Sequence, residues 1–144
     1  MEIKYSIGYQ SAELIQQAFY LRRVVFSDEQ GFSAEIDVDQ YDETAVHVVL
    51  FDNNNPIAVL RAMDQQDGKL KIGRVAVLAE YRGKGVGSML MDFIANYARN
   101  NNFNQLILSA QCSAKAFYES LGYQVHGEVY LEEGVEHIKM SLIL

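Results

Sequence analysis

A chain of 144 residues with 49% hydrophobic and 22% charged side chains can build its own core, which predicts one domain over 1–144 with no disulfide or structural metal. Its net charge of −7 repels phosphate backbones, so nucleic acid is excluded as a partner while a small amine is not. Its one cysteine, Cys112, forms no internal disulfide, and no apolar run approaches the ~20 residues of a membrane helix. The start "MEIKYSIGYQ" does not read as a signal peptide, and a cytoplasmic location is expected.

Glu2 to Ile7 alternate and predict a strand. Ser11 has the chemistry of an N-cap, and Leu14, Ile15, Ala18, Leu21 and Val25 follow at helical spacing. Ser27 to Thr44 is acidic and aperiodic, which predicts a long loop or short helical turns. Ala45 to Phe51 and Ile57 to Met63 predict strands, separated by the turn "DNNNP" and followed by the turn "QQDGK". Leu70 to Leu78 extends this antiparallel meander, but its apolar phase slips by one residue at Gly73-Arg74. Leu70 and Ile72 form one alternating set, Val75 and Val77 the other. Such a slip predicts a β-bulge that re-aims the backbone and ends neat pairing with the next strand.

A helix follows, with Val86, Leu90, Phe93, Ile94 and Tyr97 expected inside. Gln105 to Ala110 predicts a strand and Ser113 to Leu121 a short helix, with Ala114, Phe117, Tyr118 and Leu121 on one side and Gly122 as its C-cap. Tyr123 to Tyr130 and Val135 to Leu142 predict a hairpin around "EEG". Strand, helix, three strands, helix, strand, helix, two strands is the order of a mixed α/β sheet.

"RVAVLAEYRGKGVGSML" joins a strand to a helix through Gly83, Gly85 and Gly87, with Arg82 and Lys84 among them. Unpaired N–H groups at a helix start favour anions, and glycines let a phosphate approach the backbone. A tight turn with a solvated basic edge is the bland alternative. The P-loop pattern fails, because Lys84 is followed by Gly85 and position 78 is Leu. The dinucleotide fingerprint fails too, on glycine spacing and on the antiparallel strands before the loop.

Arg82-x-x-Gly85-x-Gly87 resembles the acetyl-CoA signature R-x-x-G-x-G of the GNAT superfamily of N-acyltransferases. "AQCSAKAFYESLGY" is similar to the family's second block, and "VVFSDEQGF" to a segment of a subgroup of small members. Gln111 departs from the Asn that many members carry there. The resemblance implies a mostly antiparallel sheet with a splayed central strand pair, flanked by helices. It implies that the backbone of Gly83, Lys84, Gly85, Val86, Gly87 and Ser88 holds the pyrophosphate of acetyl-CoA, with the Arg82 and Lys84 side chains close by. It further implies that Val75, Ala76 and Val77 pair with the pantetheine arm, near Gln111. A homodimer is compatible with such a family.

In that chemistry an amine attacks the thioester directly, a backbone N–H near Val75 to Val77 stabilises the oxyanion, and the thiolate of a thiol with pKa ~8.5 departs. Tyr118 occupies the family's general-acid position; by spacing alone it is equally a core aromatic, a role Phe117 fills next door. His137 sits opposite the apolar set Ile138, Met140 and Leu142, as a base for the amine or as a surface histidine. His47, in "AVHVVLF", reads as structural, and Glu29 stays open as a base. Arg22 and Arg23 either bind an acceptor anion or pair at the surface with Glu35, Asp37 or Asp39. Cys112 reads as a packed thiol, and no metal is expected. The expected reaction is acetyl transfer to a primary amine of a small molecule or peptide. A non-catalytic acyl-CoA sensor and a nucleotide-binding α/β protein are the rivals.

Overall fold

The computed structural model describes residues 1–144. Its strands are β1 (Glu2–Ile7), β2 (Val46–Asp52), β3 (Asn55–Asp64), β4 (Lys69–Val77), β5 (Gln105–Gln111), β6 (Gln124–Glu132) and β7 (Val135–Ile143). Its helices are α1 (Ala12–Arg22), α2 (Ala34–Asp37), α3 (Val86–Asn100) and α4 (Lys115–Ser120). The strands form one sheet in the order β1-β2-β3-β4-β5-β7-β6. β1–β2, β2–β3, β5–β7 and β7–β6 pair antiparallel, and β4–β5 pair parallel. The parallel register runs from Lys69↔Gln105 to Ile72↔Leu108 and stops there, one residue before the predicted slip. No helix is long and apolar enough to cross a membrane.

The chain divides into two compact units, Met1–Met63 with Arg74–Ile94, and Asp64–Gly73 with Ala95–Leu144. In the first, the Ser11 side chain accepts the Leu14 N–H at 3.3 Å and caps α1. Leu14, Ala18, Leu21 and Val25 then lie against Val49, Phe51, Val59 and Ala76. Each of the Leu, Val and Phe side chains among them contributes about 1.5–3 kcal/mol when fully buried. Past Arg22 the helix widens into a π-helical stretch, Arg23–Glu29, where the Gln30 N–H reaches back to the Val25 carbonyl at 3.1 Å. The acidic segment continues as α2 and a 3₁₀ turn, Gln40–Glu43, closed by a capping box between Asp39 and Asp42.

The buried stripe of α3 is the i, i+4 row Val86, Leu90, Ile94 and Ala98, with Met91 and Ala95 beside it. Phe93 and Tyr97, expected inside, are only half-buried, because they lie one step behind that row. Phe93 rests against the Tyr5 ring at 5.9 Å.

In the second unit, Leu106, Leu108 and Ala110 pair with Leu142, Met140 and Ile138 on one face of β5 and β7. The other face carries Ser109, Gln111, His137 and Lys139. α4 ends as Gly122 predicts: Gly122 has φ +96°, its N–H meets the Glu119 carbonyl at 3.0 Å, and the Tyr123 N–H meets that of Tyr118 at 3.1 Å. Glu133 and Gly134, at φ +51° and +76°, turn the β6–β7 hairpin. The register of β6 on β7 shifts between His126 and Tyr130, around Gly127 at φ +79°.

Candidate active site

The irregularity predicted in β4 is a backbone kink that falls on the arginine, but the apolar phase does not slip: the buried positions Leu70, Ile72 and Ala76 keep one parity. Arg74 adopts φ +52°, whereas Gly73 stays at negative φ in open space. Beyond the kink Ala76 is buried under α1, while Val75 and Val77 are half-buried on the opposite side. The far end of this stretch is fastened by the Leu78 N–H to the Ile57 carbonyl at 2.9 Å and by Arg82 Nε to the Val77 carbonyl at 3.0 Å.

The glycine loop follows. Gly83 and Gly85 have φ +75° and +80°, and a Cβ built on either meets nothing within 4 Å. The space above the backbone is therefore open, and the left-handed conformation suits glycine. The Met89 N–H bonds the Gly85 carbonyl at 3.1 Å, so the amides of Val86, Gly87 and Ser88 precede the hydrogen-bond ladder of α3. Lys84 is exposed, its Nζ 5.8 Å from the Tyr81 ring centroid. The Arg82 side chain is turned to Glu29 in a two-pronged pair at 2.6 and 2.8 Å. This hydrogen bond holds the Glu29 carboxyl below its usual range, which disfavours Glu29 as a base.

Arg22 is not a surface residue. It is fully buried, with Nε donating to Asp37 at 3.0 Å and Nη1 and Nη2 to Asp42 at 2.8 and 3.1 Å. Arg61 donates to Asp39 at 2.7 and 2.9 Å and to Asp42 at 3.0 Å. Arg74 lies 3.1 Å from Asp37 Oδ1 and 3.4 Å from Asp39 Oδ2. Three guanidinium groups thus face three carboxylates. Burial alone would raise the Asp42 carboxyl, but the Arg22 guanidinium, the Asp39 N–H and Arg61 hold it at about 2. His47 is fully buried beside them, its Nε2 2.9 Å from the Asp42 carbonyl, and burial pushes its pKa down. The sequence assigns no role to the Arg61 side chain and marks Arg74 only as the position of the slip. The available signal was a lone Arg within the apolar run "IAVLRAM", which demands a buried carboxylate.

In the second unit Tyr118 is buried at 7% exposure while Phe117 is half-buried, the reverse of the assumption that Phe117 fills the core. The Tyr118 ring packs against Phe117 and Tyr123 at 5.1 and 5.7 Å, and burial pushes its phenol up to about 12. His137 is buried as well, not a surface histidine. Its Nδ1 donates to the Val135 carbonyl at 2.8 Å, and its Nε2 stands 3.4 Å from the Glu132 carboxylate. Tyr130, hydrogen-bonded to Ser109, packs near the His137 ring. Gln111 is paired across the sheet with His137. Cys112 is half-buried and carries a free thiol. No group of three or more His, Cys, Asp or Glu stands where it could hold a metal ion.

The family profile described as an acetyltransferase (GNAT) domain matches residues 11–144. The uncharacterized N-acetyltransferase YjcF of Bacillus subtilis is 34% identical over 129 residues, 89% of this chain and 91% of that protein. A Lactobacillus plantarum protein assigned to the N-acetyltransferases has the same fold at a TM-score of 0.90 and 30% identity, with 100% of this chain and 99% of that one covered. An acyl-CoA N-acyltransferase of Pseudomonas aeruginosa matches at a TM-score of 0.85 and 26% identity, with 97% of each chain covered.

Proposed function

Because the chain belongs to the GNAT acetyltransferase family, we propose that it moves an acetyl group, in the cytoplasm, from acetyl-CoA to a primary amine of a small molecule or peptide, by direct attack on the thioester. The observation that carries this reading is the open cradle at Gly83 and Gly85, where a side chain would meet nothing and helix-start amides follow. That space suits a pyrophosphate, and Lys84 supplies an exposed charge beside it. Val75, Ala76 and Val77 offer backbone groups to the amides of the pantetheine arm, as a neighbouring strand does. Gln111 is assigned to the same arm on its place in the family's second block. An N–H of this stretch polarises the thioester carbonyl. Acetyl-CoA supplies an activated acyl group and a thiolate leaving group.

Tyr118 supports departure of the sulfur. A phenol held at about 12 stays protonated at neutral pH. Against a thiol of pKa ~8.5 it donates a hydrogen bond to the developing thiolate, with no complete proton transfer required. An amine with a lysine-like pKa of ~10.4 must lose a proton before it attacks. We assign that proton to Nε2 of His137, since Nδ1–H is committed to the Val135 carbonyl. The exposed Glu132 carboxylate beside Nε2 would attract the incoming ammonium.

The test is calorimetry with acetyl-CoA, followed by free-thiol release across a panel of amines. Tyr118→Phe is expected to keep coenzyme affinity and lose about 100-fold in kcat. Tight acetyl-CoA binding with no transfer to any amine would instead establish a sensor, and no binding at all would end the proposal.

A further inference from the structure

We infer that Arg74 is a positioning residue for this reaction: its guanidinium, anchored on Asp37 and Asp39, fixes the left-handed kink of β4 that aims the backbone of Val75–Val77. The inference rests on the reading that this stretch receives the pantetheine arm.

A bulky side chain at φ +52° is unfavourable and persists only where its surroundings over-determine it. Glycine would take that conformation freely, and a glycine stands next door, yet the kink falls on Arg74. The side chain is what distinguishes the position. Nε and Nη2 donate to the Asp37 carbonyl at 3.1 and 3.0 Å, and the same group faces Asp37 Oδ1 and Asp39 Oδ2.

Charge balance does not require Arg74. Asp37 already has Arg22 at 3.0 Å and Asp39 already has Arg61 at 2.7 Å. What Arg74 adds is a tether from the last residue of α2, Asp37, to the start of the kinked stretch. The other end of that stretch is fastened through Leu78 and Arg82. Held at both ends, Val75–Val77 has a defined orientation. Catalysis depends steeply on such placement, since a displacement of about 1 Å costs on the order of 100-fold.

Arg74→Gly removes the guanidinium and the backbone penalty together, Arg74→Ala removes only the guanidinium, and Arg74→Lys keeps the charge without the fork. Binding is measured for acetyl-CoA and for the nucleotide half of coenzyme A, which has the pyrophosphate but no pantetheine arm. In Arg74→Gly and Arg74→Ala, kcat is expected to fall at least about 10-fold. Acetyl-CoA loses its affinity advantage over the nucleotide half, which binds as before. Arg74→Lys recovers part of kcat, and millimolar guanidinium partly rescues Arg74→Gly. Amide hydrogen exchange of the unliganded Arg74→Gly protein is expected to quicken together at Val75–Val77 and at residues 34–39. Wild-type kcat in Arg74→Gly, equal affinity losses for both ligands, or unchanged exchange at Val75–Val77 would each overturn the inference. If the wild type binds neither ligand, the coenzyme reading falls by itself, and the exchange measurement still decides whether Arg74 holds the kink.

Discussion

Two polar regions of the first unit treat hydrogen bonding in opposite ways. In the cluster of Arg22, Arg61, Arg74, Asp37, Asp39 and Asp42, every charged group has an opposite partner, and Arg22 and Asp42 are sealed from solvent. At Gly83–Ser88 the backbone opens to space, and its amides precede the helix ladder. A region whose charges are all paired internally, with only Arg61 Nε lacking a hydrogen-bond partner, holds the fold. A region that leaves directional donors open is built to be completed by a ligand.

The largest expected effect lies in the closed region. Asp42→Ala leaves Arg22 and Arg61 short of a buried carboxylate, and urea melts should show a loss of about 3–5 kcal/mol. A loss below 1 kcal/mol would mean that the cluster is not a closed unit. Acid should act on the same residues in two steps. His47, held neutral by burial, contributes stability that is intact above its unfolded pKa of 6.5 and lost as pH falls below it. Asp42, at about 2 when folded against 3.8 unfolded, contributes about 2 kcal/mol above pH 3.8, lost as pH falls toward 2. Stability measured against pH in Asp42→Asn should show a smaller lower step, since Asp39, held down by Arg61, still contributes to it.

The open region should respond the other way round. Gly85→Ala forces a Cβ onto φ +80° and should cost about 1–2 kcal/mol, while coenzyme A affinity falls out of proportion, by at least about 10-fold. Equal affinity in the two proteins would remove the functional side of the contrast. Smallest of all, Glu29→Gln breaks an ion pair whose side chains are 38–44% exposed, and should change stability by less than about 1 kcal/mol. A larger change would blur the line between buried and exposed pairs drawn here.

The fold was legible where apolar residues repeat with a period. Leu14, Ala18 and Leu21 declared α1, and the irregularity was placed rightly at Gly73-Arg74, although Ala76 and not Val75 or Val77 is the buried residue beyond it. The glycine spacing and the "AFYESLGY" block pointed to a CoA-type acyltransferase fold, which the whole-chain family match bears out. Of the Arg–Asp cluster only an Arg22–Asp37 pair was among the expectations, and its burial was not legible, because the cluster joins residues 15 to 22 and more positions apart from a segment with no periodicity. A charge pattern alone cannot say that Arg22 is inside. For the same reason the burial of Phe117 and Tyr118 was inverted. Both lie on a short helix whose orientation depends on Gly122 and the strands beyond it.

β6 lies at the margin of the sheet, where an unpaired strand normally invites another chain to add itself. The extra residues around Gly127 break its regular spacing, so incoming backbone finds no continuous template. The irregularity therefore acts as a safeguard against fibrillar stacking, and straightening β6 by deleting it would be expected to make the protein aggregate.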